Sequence, residues 1–348
     1  MSAGSADIRP STPADDEARD RFVLDCPRAS FFHLAGWRRA VERVMRHRGR
    51  DLLALRDGAI VGVLPLVACR GLRGKTSLIS VPYGVYGGAA GVDREAEQAL
   101  YREAERLARA ERVGRLELRC REDPDLELPG SDLYATFVRA LPETPEGVLA
   151  STPKKARAEA RKARAKHGLE LDEGDWYVHD LARLFHRNKR SLGSPGLPVG
   201  FFGALQEELA GRVVVHLVRR GSEPLAAVMS FLFRDRVLAY YSGTAAGADR
   251  SASASNFMYT ALQEWCIERG YRTFDFGRSR KDSGAFRFKV HQGFEPADLC
   301  YRYLLVRDRH TPSLTPSNPR TRLLRETWSR LPLWLTTRLS SRAARYLP

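Results

Sequence analysis

The chain has no apolar run long enough to cross a bilayer. Its longest, from Ala59 to Cys69, is broken by Gly62 and Pro65 and falls well short of the roughly 20 residues a membrane-spanning helix needs, so it reads as a buried hairpin strand. The opening residues, Met1 to Ile8, offer neither a basic start nor an apolar stretch, and no secretory signal is expected. Cysteine is sparse: Cys26, Cys69, Cys120, Cys266 and Cys300 are scattered without a CxxC pair. An odd, dispersed set predicts reduced core thiols in the cytoplasm rather than disulfides or zinc. Walker, HExxH, GxSxG and strict GxGxxG motifs are all missing, and no two of the eight histidines stand at metal-binding spacing. No metal site is expected.

What is present suits a folded, soluble protein: 348 residues, 43% apolar and 28% charged, enough for two cores of about 100–150 residues each. The formal charge of +15 is concentrated. Residues 154–166 carry seven Lys/Arg against Glu159, and residues 309–348 carry eight Arg against Glu326. Together these segments hold +13, which marks two local surfaces rather than a generally basic protein.

One supersecondary paragraph occurs twice. A hairpin over Leu53–Leu66, turning at Asp57-Gly58, leads to a strand and aromatic-glycine loop over Ser77–Gly88. A helix at roughly 94–111 and the strand Leu116–Arg119 complete it. Later, a hairpin opens at His216–Gly221 and returns through Leu225–Phe233. The strand Leu238–Gly243, a helix at roughly 254–269 and the strand Phe274–Arg278 follow in the same order. Gly58 and Gly221 are 163 positions apart, and Glu117 and Asp275 are 158 apart. Repetition of order and spacing predicts two similar α/β domains with a cleft between them, a favoured place for a ligand.

The boundaries follow from composition. Residues 1–27 are polar and expected to be loosely ordered. The first domain, 28–145, begins with an amphipathic helix on Trp37, Val41 and Val44 and closes with a strand over Leu133–Ala140 and the exit Leu141–Pro145. The second, 146–308, opens with a basic helix capped by Thr152 and Pro153 and stopped at Gly168. Helix 180–192 follows, and the strand Leu299–Val306 ends the domain. The tail, 309–348, is rich in Arg and turns amphipathic around Trp328 and Trp334, with Pro332 breaking any continuous helix.

The densest polar stretch runs from Phe274 to Pro296. A strand carrying Asp275 breaks at Gly277 and delivers Arg278 and Ser279 at its carboxyl end, where ligands of α/β sheets sit. Phe286, Phe288 and Phe294 would anchor the loop that follows, with Lys289 between them. A lysine on such a scaffold can offer positive charge to a developing oxyanion, as acyl transfer requires. The plain alternative pairs Asp275 with Arg278 and leaves Lys289 solvated. In the first repeat, Tyr83 and Tyr86 could stack on a sugar or base, or simply pack a tight turn. The basic helix presents Lys154, Arg157, Arg161 and Arg164 on one face, to grip phosphates or to stay solvated.

The run Phe274-Asp-Phe-Gly-Arg-Ser279, followed by Phe286-Arg-Phe-Lys-Val-His-Gln-Gly-Phe-Glu-Pro296, resembles the final motif of FemAB-like proteins. More narrowly it resembles the branch associated with the PEP-CTERM/exosortase system. Phe32-His33, Trp37, Gly62–Leu66, Val81–Gly88, Pro153–Arg157, Ser191–Pro195, Tyr240-Tyr241 and Asn256–Tyr259 extend the match over about 28–305. The resemblance implies an α/β (α+β) fold of two tandem GNAT-like domains, each with a mixed, mainly antiparallel sheet. It implies an N-acyl- or aminoacyltransferase acting on an amine of an envelope exopolysaccharide or lipid-linked precursor.

In that reading Lys289 stabilises the tetrahedral intermediate and Asp275 orients the amine or takes its proton. Arg278, Ser279, Tyr83, Tyr86, Trp37, Arg38, Tyr241, Asn256, Lys154 and Arg157 contact substrate. No cofactor is held tightly; acyl-CoA or aminoacyl-tRNA serves as co-substrate, and nucleic acid is a partner only in the second case. The segment Tyr240–Arg250 stands where GNAT enzymes hold the donor pyrophosphate against a helix N-terminus, yet it lacks the usual Arg/Gln-x-x-Gly-x-Gly/Ala run. The location expected is cytoplasmic, with peripheral contact at the inner face of the membrane through the tail, whose other course is docking on the protein itself. The competing functions are a non-catalytic GNAT-fold scaffold and a nucleic-acid-binding protein gripping through 154–166 and the tail.

Overall fold

The computed structural model describes residues 6–71, 74–311 and 319–348. The chain divides into two compact units, and both carry the mixed α/β build that the duplication implies.

The first unit contains residues 6–132 with 298–311 and 345–348. Strands Leu52–Arg56 and Ala59–Leu64 form the expected hairpin. Asp57 and Gly58 both take positive φ, 50° and 77°, as a two-residue hairpin turn demands. Helix Arg94–Ala110, started by the Asp93 carboxylate accepting from Ala96 N, lays Leu100, Tyr101, Ala104 and Ala108 on a core that includes Leu52, Leu64, Leu78, Leu116 and Leu118. Strand Thr76–Ile79 runs parallel to Arg115–Cys120 within a six-stranded sheet.

Residues 6–27 are ordered, against expectation. Strand Asp7–Pro10 pairs with Leu52–Leu55, and helix Asp16–Asp25 buries Arg19 completely. That guanidinium pairs with Asp51 and donates twice to the His33 carbonyl. A buried charge persists only when every donor finds a partner, and here the polar segment supplies the cation that Asp51 requires.

The second unit contains residues 133–297 with 319–344. Its seven strands stand in the order Leu169–Glu173, Val213–Arg220, Glu223–Phe233, Arg236–Thr244, Thr273–Arg280, Tyr134–Ala140 and Pro296–Asp298. Val218, Val228, Val237, Phe274 and Phe276 form the core with Phe257, Met258 and Leu262 of helix Ala254–Glu268. The basic helix, Lys154–His167, packs its Ala156, Ala160 and Ala163 stripe inward and ends at Gly168 in the left-handed region. Its start differs from expectation. Thr152 closes a preceding helix, Pro145–Ser151, by donating to the Val148 carbonyl. The exit Leu141–Pro145, read as a boundary, therefore leads into a helix that begins after Thr144 with Pro at its first position.

Two strands belong to the opposite unit from the one expected. Tyr134–Ala140 pairs with Thr273–Arg280 in the second sheet, whereas Cys300–Leu305 pairs with Arg115–Cys120 in the first. The boundaries at 145 and 308 give way to an exchange of closing strands. Alternating strands bury one face against any matching sheet, so pattern alone does not name the partner.

Candidate active site

The site grows from a defect in the second sheet. Strands Arg236–Thr244 and Thr273–Arg280 are parallel neighbours, but their register covers only Arg236↔Thr273, Val237↔Phe274 and Leu238↔Asp275. Beyond these pairs the first continues along Glu223–Phe233 to Thr244, and the second along Tyr134–Ala140 to Arg280. The strands therefore splay from residue 275 onward. Gly277 sits at this point with φ of 62°, a conformation costly for any residue with a Cβ. The register with Tyr134–Ala140 also shifts here, between Thr136 and Val138.

Asp275 builds the bend. Its Oδ1 accepts from Gly277 N at 2.7 Å, and its Oδ2 lies 3.6 Å from Arg236 Nη1. The side chain is fully buried. One oxygen is held by the backbone, and the other lies within ion-pair reach of Arg236.

Lys289 completes the bend from the other side. It lies on a helix, Gly284–His291, where a loop was expected. Ser283 Oγ accepts from Phe286 N at 3.1 Å to start this helix, and Gly293, at φ of 81°, ends it. Both are recognisable helix signals in the sequence. The Lys289 ammonium donates to the carbonyls of Phe276, Gly277 and Arg278 at 2.6, 3.0 and 3.2 Å. Phe137 and Phe276 rings lie 5.3 and 5.6 Å from Nζ. The residue is only 9% exposed. Burial pulls its pKa down to about 7, with the Asp275 charge opposing. This is a cation held in a largely dry place by three carbonyl dipoles.

Around the splay, Tyr259 packs its ring 4.6 Å from Phe276 and donates to Ser242 Oγ at 3.0 Å. The Tyr240 ring lies near Gly277, where an added Cβ would meet it at 3.2 Å. Asn256 accepts from Gln292 Nε2 at 2.5 Å, tying the start of helix Ala254–Glu268 to the end of the Lys289 helix. Ser279 is buried, and its Oγ has no hydrogen-bond partner among the described residues. Arg278 stacks its guanidinium 4.7 Å over Tyr134.

One residue that the sequence reading passed over belongs here. Lys189, on helix Val178–Ser191, lies 5.3 Å over the Phe185 ring. Burial and then the Arg278 charge lower its pKa. Its ammonium forms no hydrogen bond or ion pair among the described residues. Phe185 and Lys189 stand one turn apart on one helix face, a signal legible in hindsight. Phe185, Phe201, Phe202 and Phe231 enclose Tyr241, which is buried and serves packing.

The remaining residues divide by exposure. Lys154 is exposed and Arg157 half-buried on the basic helix, whose preceding Pro153 abuts Gly293. In the first unit, Tyr83 and Tyr86 are buried, taking the packed alternative: Tyr83 Oη lies 3.0 Å from His47 Nε2, and Tyr86 packs edge-on against Phe32. Trp37 is buried and donates to the Pro82 carbonyl. Arg38 is spent on Asp16, Glu42 and Asp51. These four support the fold of their unit.

The N-terminus of helix Ala254–Glu268, where a GNAT enzyme would hold the pyrophosphate of coenzyme A, already carries carboxylates. Asp249 accepts from Ser255 N at 2.7 Å and from Ser255 Oγ at 3.0 Å, and Glu159 accepts from Ser253 Oγ. Helix N-termini favour negative charge, but here two side chains supply it. The residues present do not fit a pyrophosphate at that place.

Comparison with known proteins agrees with this architecture. The "Acetyltransferase (GNAT) domain" family matches residues 150–290. The crystal structure of FemX is similar, at 14% identity and a TM-score of 0.64, covering 92% of this chain and 100% of its own. A conserved protein of unknown function from Bacteroides thetaiotaomicron is similar at 13% identity and a TM-score of 0.58, covering 86% and 99%. A tandem GNAT protein from the clavulanic acid biosynthesis pathway, solved without AcCoA, is similar at 15% identity and a TM-score of 0.54, covering 88% and 99%. No curated protein matches the sequence. The fold is that of tandem GNAT-like domains.

Proposed function

We propose that this protein is an acyltransferase that moves an acyl or aminoacyl group from an ester or thioester donor onto an amine. The observation that carries the reading is the Lys289 ammonium, buried at the splay of a parallel strand pair and fixed on three consecutive carbonyls. The neutral amine attacks the donor carbonyl, and the carbonyl oxygen becomes an oxyanion. The new C–N bond persists, the C–O or C–S bond breaks, and the proton lost by nitrogen goes to the leaving oxygen or sulfur. A positive charge in a low-dielectric setting stabilises that oxyanion far more than it would in water. Asp275 and Gly277 hold the strand in the shape that keeps the charge there.

The donor is better served by an aminoacyl ester, as in aminoacyl-tRNA, than by acyl-CoA, because Asp249 and Glu159 occupy the helix start that a pyrophosphate would need. Lys189, held close enough to Arg278 to feel its charge, suits an acceptor bearing a phosphate or carboxylate. That fits an amine-bearing envelope glycan or lipid-linked precursor, and a cytoplasmic site of action. The ordered motifs support the PEP-CTERM-associated branch of the FemAB-like proteins. A second reading has its own observation: all three Lys289 donors are engaged by the backbone, as they would be in a silent scaffold where lysine only pins the bend.

Kinetics separate the two. With an aminoacyl donor and an amine acceptor, Lys289→Met should lower kcat at least about tenfold. Because the charged form is the active one, kcat should fall as pH rises through about 7. Lys289→Arg, which stays charged, should lose that basic limb. Unchanged kcat in both variants would leave Lys289 a structural pin and end the catalytic reading.

A further inference from the structure

The two C-terminal helices leave large apolar side chains exposed. Helix Leu333–Ala343 turns Thr336 and Ser340 inward, where they are 2% and 1% exposed. Ser340 Oγ accepts from Gly196 N at 3.0 Å. The outward side of the same helix carries Trp334, 68% exposed, with Leu339 and the exposed Arg338 and Arg342. Helix Pro319–Arg330 leaves Leu323 and Leu324 73% and 70% exposed and ends at the exposed Arg330. A helix that merely covered its own protein would bury the tryptophan and leucines and expose the serine and threonine.

The pair is nevertheless anchored. Arg190 donates to the Leu331 carbonyl at 3.2 Å, and a Cβ at Gly193 would stand 2.7 Å from Arg325. Leu192, beside that contact, is also exposed.

We infer that this outward face docks on an anionic lipid surface. Charge selects this occupant: residues 319–348 hold seven arginines against one acid, Glu326, and a bilayer with anionic headgroups offers both an apolar layer and negative charge. An interfacial helix combines aromatic and leucine anchors with arginines that reach the headgroups, and the exposed side chains here are of those types. Pro332 starts the second helix, so the two helices lie as separate segments, with Leu323, Leu324, Trp334 and Leu339 exposed. The inference does not rest on the chemistry at Lys289.

The test uses the full-length protein and sedimentation with vesicles of pure phosphatidylcholine or of phosphatidylcholine with one-third phosphatidylglycerol. Binding should be at least about tenfold stronger to the anionic vesicles and weaken with added salt. A variant carrying Leu323→Ser, Leu324→Ser and Trp334→Ser should lose at least tenfold in binding while keeping its melting temperature, since all three side chains are exposed. Wild-type Trp334 fluorescence, taken as the difference from Trp334→Phe, should shift to the blue on anionic vesicles alone. Absent vesicle binding at low salt, or equal binding by the triple variant, overturns the proposal. So does a concentration-dependent dimer that the triple variant abolishes, since a second copy would then be the occupant.

Discussion

At the scale of single residues, the second unit separates groups that hold shape from groups that are left over. Asp275 spends one carboxylate oxygen, and Lys289 its ammonium, on the backbone of residues 276–278. Lys289 also costs the fold something: its pKa sits below the ordinary lysine value. The unfolded chain therefore binds a proton that the native state has released between about pH 7 and the ordinary value. The destabilising effect is complete below about pH 7 and vanishes as pH rises above the unfolded pKa. Retaining a group that works against stability is common where it serves chemistry. Ser279 is a leftover of a different kind, a buried hydroxyl without a partner among the described residues. Leaving such a group unsatisfied costs about 1–3 kcal/mol, so Ser279→Ala should leave the melting temperature unchanged or raise it. If the hydroxyl instead receives substrate, the same variant should raise KM several-fold. A stable variant with unaltered KM would remove Ser279 from the substrate contacts.

Among the elements, helix Val178–Ser191 depends on one glycine beneath it. A Cβ at Gly243 would stand 2.4 Å from the Leu184 carbonyl carbon and from Phe185 N. Backbone cannot yield as a side-chain tip can, so Gly243→Ala should force the helix outward, carry Lys189 with it, and destabilise by about 1–3 kcal/mol. Gly203→Ala is the control, since nothing lies within 4 Å of its added Cβ and it sits in helix Val199–Glu208. That variant should stabilise by about 0.5–1 kcal/mol. Equal melting temperatures for the two, by calorimetry, would refute the close-approach argument. Elements with local signals were readable in advance. Asp57-Gly58 and Gly221 marked their hairpins, and Gly168 stopped the basic helix at the residue expected. Helices Pro145–Ser151 and Gly284–His291 were missed although Thr144-Pro145 and Ser283 announce them, because proline and aromatic density argued for linker and loop. The partners of Lys289 had no signal at all: carbonyls at a sheet defect follow from the register of three strands, which no local pattern carries.

For the whole chain, duplication was the correct guide to architecture and a misleading guide to boundaries. Each repeat has its own hairpin, helix and strand order, yet each sheet is closed by a strand from outside its repeat. Tyr134–Ala140 stands between Thr273–Arg280 and Pro296–Asp298, so the second sheet is internally gapped without it. Phe137 on that strand is a fully buried member of the second core and supplies a ring near Lys289. Cutting at the compositional boundary therefore removes core, not linker. A fragment of residues 146–308 should lack a cooperative thermal transition, because it loses Phe137 and exposes the edge of Thr273–Arg280, and it carries Cys300–Leu305 as a strand with no sheet to join. A fragment of residues 133–297 keeps six strands whole and all but Asp298 of the seventh, and should melt cooperatively, with dispersed amide resonances. Calorimetry and an amide correlation spectrum of the two fragments decide the matter. A cooperative 146–308 beside a disordered 133–297 would mean that the closing strands are not exchanged.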